Sequence, residues 1–354
     1  MPVHIDRRGK CLRLSLPSMN PSEEPQEIAD KGTQMPLTIP AKIEHQTFLY
    51  SELNTNLDSL SADIAYLGIP YGESYTFGEI ANDQSRGALA LRRATDRILR
   101  SIERYDFDLG GPLYDHRPIR AIDCGDVYAD PREPKSHLAR AEEAVRKIVA
   151  SGAMPIILGG DHSIPIPALK ALDDQGSITL IQIDQHLDWR DEINGVTHGL
   201  SSPIRRASEM DHIGEIFQIG LHATGSGRQE EFDAAKNYGA HLISSYEIHE
   251  GGIQRVLDLI PNGGRYYITV DLDAFEPSIA PGVAAPCAGG MTFLQARTLI
   301  HGLVRKGRVL GMDVVEITPS TDVNDITAIT AGRLIVNLVG AAVRADYFQG
   351  RQTL

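Results

Sequence analysis

From residue 63 onward, short apolar runs rich in β-formers alternate with amphipathic stretches of helical periodicity. The runs predict eight strands, over residues 63–68, 120–124, 154–158, 178–183, 216–220, 241–243, 266–270 and 310–315. The stretches predict helices over residues 85–105, 136–151, 164–174, 200–210, 228–238, 246–259, 292–306 and 325–348. Alternating strands and helices are typical of a mostly parallel sheet covered on both faces. The pattern therefore predicts one α/β domain built on an eight-stranded sheet.

Residues 1–60 differ from the rest of the chain because they are polar, contain several prolines and lack clear periodicity. We expect them to form an irregular N-terminal arm that wraps the domain or a neighbouring subunit. Residues 61–354 then form the single folded domain, and a chain of 354 residues is long enough to bury a sizeable core.

Composition and charge exclude several classes of protein. The formal net charge of -13 argues against a nucleic-acid partner, which needs a basic face. Three scattered cysteines are too few for a disulfide framework. No segment approaches the roughly 20 apolar residues of a membrane span, and the N-terminus lacks the apolar stretch of a secretion signal. We therefore expect a cytoplasmic protein with no membrane contact.

Three acidic strings follow three of the predicted strands: Gly159-Gly160-Asp161-His162-Ser163, Asp184-Gln185-His186-Leu187-Asp188 and Asp271-Leu272-Asp273. In extended segments, alternation would place Asp184, His186 and Asp188 on one face and Gln185 on the other. The carboxyl ends of parallel strands meet at one edge of a sheet, which is where such folds bind ligands. The strings therefore predict a cluster of four carboxylates and two imidazoles.

Six hard or borderline ligands are more than one zinc ion needs, and they suit two divalent ions. Alone, each string would be weak evidence, since an Asp-x-Asp pair often caps a turn and His162 alone would fit a core histidine. Together, they would be costly to bury without a cation. Asp161 is predicted to orient one of the ligand imidazoles.

The three strings resemble the three signatures of the ureohydrolases. In this comparison the third string extends to Asp271-x-Asp273-x-x-Glu276-Pro277-x-x-Ala280-Pro281-Gly282. That superfamily includes arginase, agmatinase, guanidinobutyrase and guanidine hydrolase, and the resemblance runs from about residue 63 to about residue 348. It implies an arginase-like α/β fold, with residues 61–354 as the catalytic domain. It also implies that a hydroxide bridging two metals hydrolyses a guanidine group to urea and an amine or ammonia.

The resemblance also implies roles for individual residues. The six metal ligands would be His162, Asp184, His186, Asp188, Asp271 and Asp273. Asp184 and Asp273 would be shared between the ions, and Asp188 would pass a proton to the leaving nitrogen. Glu316 would anchor the guanidinium through two parallel hydrogen bonds. His198, fourteen positions after Asp184, matches the agmatinase-type histidine that relays protons.

The preferred substrate is a small cationic guanidine or a biguanide of the metformin type. The segments around Trp189, Leu200 and Val315 look most like the guanidine hydrolase branch, and the run with which arginase grips an amino acid is absent. Trp189 would cap a short substrate pocket or stack on the cationic substrate. The alternative is that Trp189 is only a packing residue. His222 would line the pocket. Agmatinase and guanidinobutyrase activities are the alternatives. Ni²⁺ is favoured over Mn²⁺, although Asp/His sites accept both.

The chain departs from the family pattern at Gln185, where most members carry a small residue, and at Glu276, where most carry aspartate. These departures motivate an alternative, a subunit that is active only with a paralogous partner. The resemblance implies a trimer or hexamer in either case. A second rival is a deacetylase-like zinc hydrolase on the same general fold, with one metal and fewer carboxylates.

Overall fold

A computed structural model describes residues 38–39, 47–76, 82–130, 132–224 and 227–349. Within them, ten strands form one sheet: β1 Thr38–Ile39, β2 Glu52–Leu53, β3 Ile64–Gly68, β4 Ala121–Val127, β5 Met154–Leu158, β6 Ile178–Ile183, β7 Ile213–Leu221, β8 His241–Ser244, β9 Arg265–Asp271 and β10 Arg308–Val315. Their order is β1-β4-β3-β5-β10-β9-β6-β7-β8, with β2 also paired to β4. The pairs are parallel except β1 with β4. All eight predicted strands are confirmed, and two short strands join them at the β4 edge.

The helices of the described residues are α1 Gly87–Arg93, α2 Thr95–Ile98, α3 Pro134–Ala150, α4 Pro165–Lys170, α5 Pro203–Ala207, α6 Gln229–Tyr238, α7 Ser245–Gly251, α8 Ile253–Leu259, α9 Phe293–Lys306 and α10 Ile326–Arg344. Each predicted helical stretch overlaps at least one of these helices. The stretch 246–259 is two helices because Gly252 between α7 and α8 has a φ of 79°. This conformation favours glycine and ends a helix.

The sheet separates two apolar clusters, and alternate residues of its strands face opposite clusters. In β3, Ile64 and Tyr66 belong to one cluster, while Ala65 and Leu67 belong to the other. The first cluster contains α9 and α10, and the second contains α3 and α4. Among the described helices, α10 is long and apolar enough to cross a membrane, but most of it is buried in the first cluster.

The predicted arm can be followed only in part. Apart from Thr38–Ile39, residues 1–46 lie outside the described residues. Phe48 and Leu49 are buried in the core, and the Phe48 amide donates to an Asp123 carboxylate oxygen at 2.9 Å. Residues 47–60 are thus attached to the sheet, while the proposed wrapping by the rest of the arm stays a prediction.

Arg92 of α1 ties three parts of this region together. It is 1% exposed, and its Nε and Nη2 donate to the two oxygens of Asp123 at 2.8 and 2.9 Å. Its Nη1 donates to Asp126 at 2.6 Å, and Asp123 also accepts the Phe48 amide. A buried bidentate pair of this kind fixes the end of β4 against α1 and residues 47–50.

We predict that Arg92→Met lowers the free energy of unfolding by about 3–5 kcal/mol, because Asp123 is left buried without a cation. Urea-induced unfolding measures this change. The control is Arg97→Met, since Arg97 forms a solvent-exposed pair with Asp325 at 2.7 Å and should cost about 0–1 kcal/mol. Equal losses of stability in the two variants would contradict a stabilising role for the buried Arg92–Asp123 pair.

Candidate metal centre

The three acidic strings meet at the carboxyl ends of adjacent strands. In the sheet, β5, β10, β9 and β6 are neighbours in that order. The first string follows β5, the second follows β6, and Asp271 is the last residue of β9. Glu316 follows β10 directly. The four innermost strands therefore direct their ends to one crevice, as predicted from the parallel sheet.

All six predicted ligands lie in two overlapping groups. One group is formed by Asp184, His186, Asp271 and Asp273, and the other by His162, Asp184 and Asp188. In each group the candidate ligand atoms lie within 4.8 Å of one another. Asp184 belongs to both groups, which is the arrangement expected of a carboxylate shared by two ions.

The imidazole of His162 is the centre of the second group. Its Nδ1 lies 2.9 Å from Asp184 Oδ2, 2.9 Å from Asp188 Oδ2 and 3.2 Å from Asp271 Oδ2. In the first group, His186 Nδ1 lies 3.1 Å from Asp273 Oδ2 and 3.5 Å from Asp184 Oδ1. His186 is the more exposed imidazole, with 22% of its side chain accessible.

The tautomer of His162 is set by a hydroxyl that the sequence interpretation missed. Thr269 Oγ1 donates to Asp313 Oδ1 at 2.6 Å, so it accepts a hydrogen bond from His162 Nε2 at 3.0 Å. The Nδ1 of a neutral imidazole is then a bare lone pair. Such a partner behind the ring is what a metal-binding histidine needs. The signal in the sequence was Asp313, a carboxylate within the apolar run of the predicted strand 310–315.

The donor set fits a divalent cation. His162 Nδ1 and Asp188 Oδ2 are buried and have no hydrogen-bond partner among the described residues. Burial and the neighbouring Asp184 raise the pKa of Asp188 to about 7. Burial lowers the pKa of His162, but Asp184 and Asp188 outweigh it and raise that pKa well above its usual value. The crevice therefore draws in positive charge, and cations between these atoms would satisfy them all.

The strand ends meet as predicted, but the predicted alternation of side chains beyond them is wrong. The strand β6 ends at Ile183, before Asp184, so strand alternation does not apply to the second string. Asp188 has a φ of 55°, in the left-handed region. Leu272–Ala274 form a 3-10 turn in which the Asp273 amide donates to Asp271 Oδ1 at 2.9 Å. Turn geometry, rather than alternation, brings the second and third strings together.

The prediction that Gln185 points away from the ligands rests on the same alternation and is also wrong. Its Nε2 donates to Asp273 Oδ2 at 2.9 Å and to the Ala285 carbonyl at 2.6 Å. Gln185 therefore contacts a ligand carboxylate directly. Glu276, the other departure from the family pattern, accepts the Gly289 amide at 3.0 Å and fastens the segment after Asp273.

Asp161 and Glu316 hold the loop that carries His162. Asp161 accepts the amides of Gly72 at 3.3 Å and Ser163 at 3.1 Å, so it secures backbone and does not orient an imidazole as predicted. Glu316 accepts the His162 amide at 2.8 Å and Gln84 Nε2 at 3.1 Å. Burial raises the pKa of Glu316 to about 8, and its φ is 65°. A buried acid in a strained backbone conformation beside the ligands is typical of a functional residue.

His198 lies in the wall of a separate pocket. Its Nε2 is 3.2 Å from Lys170 Nζ, and its Nδ1 is 2.9 Å from Thr197 Oγ1. The pocket has a volume of about 370 Å³, and Glu73 and Glu142 contribute further charged groups to its wall. The predicted proton relay residue is thus placed among ionisable groups.

Trp189 and His222 do not have the surroundings predicted for substrate-binding residues. Trp189 is 3% exposed in the second apolar cluster, and its Nε1 donates to Gln218 Oε1 at 2.6 Å. The two ring nitrogens of His222 face the carbonyl oxygens of Gly220 at 2.8 Å and Cys287 at 3.3 Å. Trp189 is thus surrounded by apolar side chains and Gln218, and His222 by backbone carbonyls. For Trp189 these surroundings favour the packing alternative, and the substrate-binding roles of both residues stay predictions.

The fold matches solved structures over most of its length. Proclavaminate amidino hydrolase from Streptomyces clavuligerus superimposes with a TM-score of 0.75 and 24% identity, over 87% of this chain and 100% of that chain. A hypothetical agmatinase from Burkholderia thailandensis gives a TM-score of 0.73 and 26% identity, over 86% of this chain and 93% of that chain. The arrangement of strands and helices is therefore an arginase-type fold.

Sequence relatives place the chain within the same group. It is 32% identical to guanidinopropionase from Pseudomonas aeruginosa, over 80% of this chain and 87% of the relative. It is 33% identical to agmatinase from Bacillus subtilis, over 66% of this chain and 78% of the relative. Residues 62–340 match the model of the arginase family. As the resemblance of its three acidic strings predicts, the chain belongs to the arginase family of hydrolases.

Proposed function

We propose that this protein hydrolyses a C–N bond of a small guanidine or a biguanide, releasing urea or a urea derivative plus ammonia or an amine. The observation that carries the proposal is the position of His162 Nδ1, which lies within 3.2 Å of the carboxylates of Asp184, Asp188 and Asp271. The names of the relatives, guanidinopropionase and agmatinase, support a guanidino substrate. An agmatinase or guanidinobutyrase activity is the alternative, since a guanidinobutyrase is also 28% identical over 80% of this chain.

Two divalent ions, Ni²⁺ or alternatively Mn²⁺, would be held by the two overlapping groups of ligands, with Asp184 between them. When bound, such a pair supplies a nucleophile at neutral pH by lowering the pKa of water, and it stabilises negative charge in the transition state.

Glu316 would orient the substrate. Its carboxylate is fixed by the His162 amide and by Gln84, so its position relative to the ligand loop is set before substrate arrives. A carboxylate can accept two parallel N–H bonds from one edge of a planar guanidinium. A cation bound there also stabilises the ionised form of Glu316, whose pKa burial raises to about 8.

Asp188 would carry the proton. Its buried carboxylate would bind a cation through Oδ2, which lies 2.9 Å from His162 Nδ1, and the other oxygen would take up a proton from the attacking water. A proton held on this oxygen would pass to the departing nitrogen, which must leave as a neutral amine. His198 would then exchange protons with solvent at the wall of its pocket.

Asp188→Asn should lower kcat about 100-fold or more, because the amide cannot carry the proton, while substrate affinity stays largely intact. Steady-state kinetics and equilibrium substrate binding measure the two effects. The control is Asp191→Asn, three residues along, where the side chain is 70% exposed and pairs with Arg206 at the surface. Full activity in the Asp188 variant would refute its assignment.

Elemental analysis of the purified chain should find two divalent ions per chain. Removing them with a chelator should lower the thermal unfolding midpoint, because each site contributes about 2.7 kcal/mol of stability at 100 times its Kd. Adding Mn²⁺ or Ni²⁺ back should restore the midpoint. One ion per chain would instead favour the deacetylase-like arrangement.

A substrate panel separates the finer alternatives. With the Ni²⁺-loaded chain, we expect guanidine, methylguanidine or metformin to give the highest kcat/KM, ahead of agmatine, guanidinobutyrate and arginine. The same panel is run with Mn²⁺. A preference for agmatine or guanidinobutyrate would support the alternative activity and contradict the proposed substrate.

The panel also tests whether the chain acts alone. We propose a cytoplasmic trimer or hexamer, and light scattering on the purified chain measures its mass. Inactivity toward every compound, with activity restored by a paralogous chain, would favour the heteromer.

A further inference from the structure

We propose that Trp189 is a positioning residue that acts on the metal centre through Gln218 and Gln182. These three side chains form a relay that holds an N–H donor on the carboxylate of Asp184. The inference rests on the proposed function, because Asp184 is the carboxylate common to both groups of cation ligands.

The relay is a continuous series of short hydrogen bonds. Trp189 Nε1 donates to Gln218 Oε1 at 2.6 Å. Gln218 Nε2 donates to Gln182 Oε1 at 2.5 Å, and Gln182 Nε2 donates to Asp184 Oδ2 at 2.6 Å. Gln182 and Gln218 occupy paired positions on the neighbouring strands β6 and β7, so the sheet itself sets their separation.

The direction of the relay is fixed at both ends. An indole N–H can only donate, so it requires the oxygen of the Gln218 amide on its side. The Leu187 carbonyl at 2.8 Å can only accept, so it requires the Gln218 nitrogen on the other side. Gln182 must therefore receive a donor at its oxygen, which leaves its nitrogen to face Asp184. Flipping either amide would place two acceptors in contact.

Because the relay is buried, reversing the orientation of its amides would be energetically costly. Gln182, Gln218 and Asp184 are fully buried, and Trp189 is 3% exposed with its ring 5.7 Å from that of Tyr238. Without water as a substitute partner, an amide that lost its neighbour would leave a polar atom unsatisfied. The relay therefore has one low-energy arrangement.

This arrangement immobilises the shared carboxylate. Asp184 Oδ2 accepts from Gln182, and Asp184 Oδ1 accepts from the His186 amide at 2.6 Å. With a donor on each oxygen, the plane of the carboxylate cannot rotate, and its other lone pairs stay directed toward His162 and His186. Groups that hold a ligand in this way typically change metal affinity by about 10- to 100-fold.

The test is a calorimetric titration of the full metal-free chain with Mn²⁺, whose weak binding makes losses easy to measure. Gln182→Leu keeps the approximate volume and removes the donor, and it should raise the Kd about 10- to 100-fold. Trp189→Phe should raise the Kd by about 10-fold. The double variant should stay within about 2-fold of Gln182→Leu alone, because the two residues act through one path.

The control is Tyr238→Phe, which removes a hydroxyl that donates to the Gly214 carbonyl at 2.8 Å and leaves the relay intact. It should bind Mn²⁺ like the unmodified chain. Thermal unfolding of each metal-free variant shows how much folded-state stability it has lost, and a positioning role requires Kd changes that do not follow that loss.

Four results would overturn the relay. The first two are an unchanged Kd in Gln182→Leu and Kd changes that multiply in the double variant. The others are an equal loss of affinity in Tyr238→Phe and Kd changes that follow the loss of folded-state stability. An unmodified chain that binds no divalent ion would overturn the proposed function and the relay together. That result is distinguishable from failure of the relay alone, because it is seen in the chain without any substitution.

Discussion

The concentration of negative charge at the ends of the inner strands is the constraint on which the rest of this structure depends. Four carboxylates and two imidazoles, together with Glu316 and Asp313, share one buried region. Like charges at these separations cannot all remain ionised in a low-dielectric interior without compensation. The raised pKa values of Asp188 and Glu316, caused first by burial, express that conflict. Divalent cations between these groups would resolve it, so the ions proposed for the chemistry would also stabilise the fold.

The sheet supplies the rigidity that such a site needs. The strands that precede the ligands are the four innermost of the described sheet, and each has a neighbour on both sides. Two candidate site residues, Asp188 and Glu316, have positive φ values of 55° and 65°. This conformation is unfavourable for residues with a side chain, and it persists only where surrounding contacts impose it. The paired inner strands anchor these strained turns at their carboxyl ends, where the ligand atoms converge.

The sequence was sufficient to predict the fold and the convergence of the ligands, because both follow from simple rules. Buried parallel strands are continuous apolar runs, so the eight predicted strands are confirmed. Contacts made beyond the strand ends were not predictable in the same way. Gln185 was assigned to the wrong face because alternation was extended past Ile183, where β6 ends. The partner of His162 was missed because Thr269 is an ordinary strand residue until its neighbour Asp313 is known.

The candidate cation ligands and the pocket that contains His198 have different origins in this fold. The candidate ligands follow strand ends, whereas the pocket that contains His198 is bounded by α3, α4 and the segment around Thr197. Loops and helix surfaces of this kind change without disturbing the inner strands. Relatives that are named for different guanidino compounds are consistent with that separation. The wall of this pocket can therefore change while the carboxylates and the donors that hold them stay fixed.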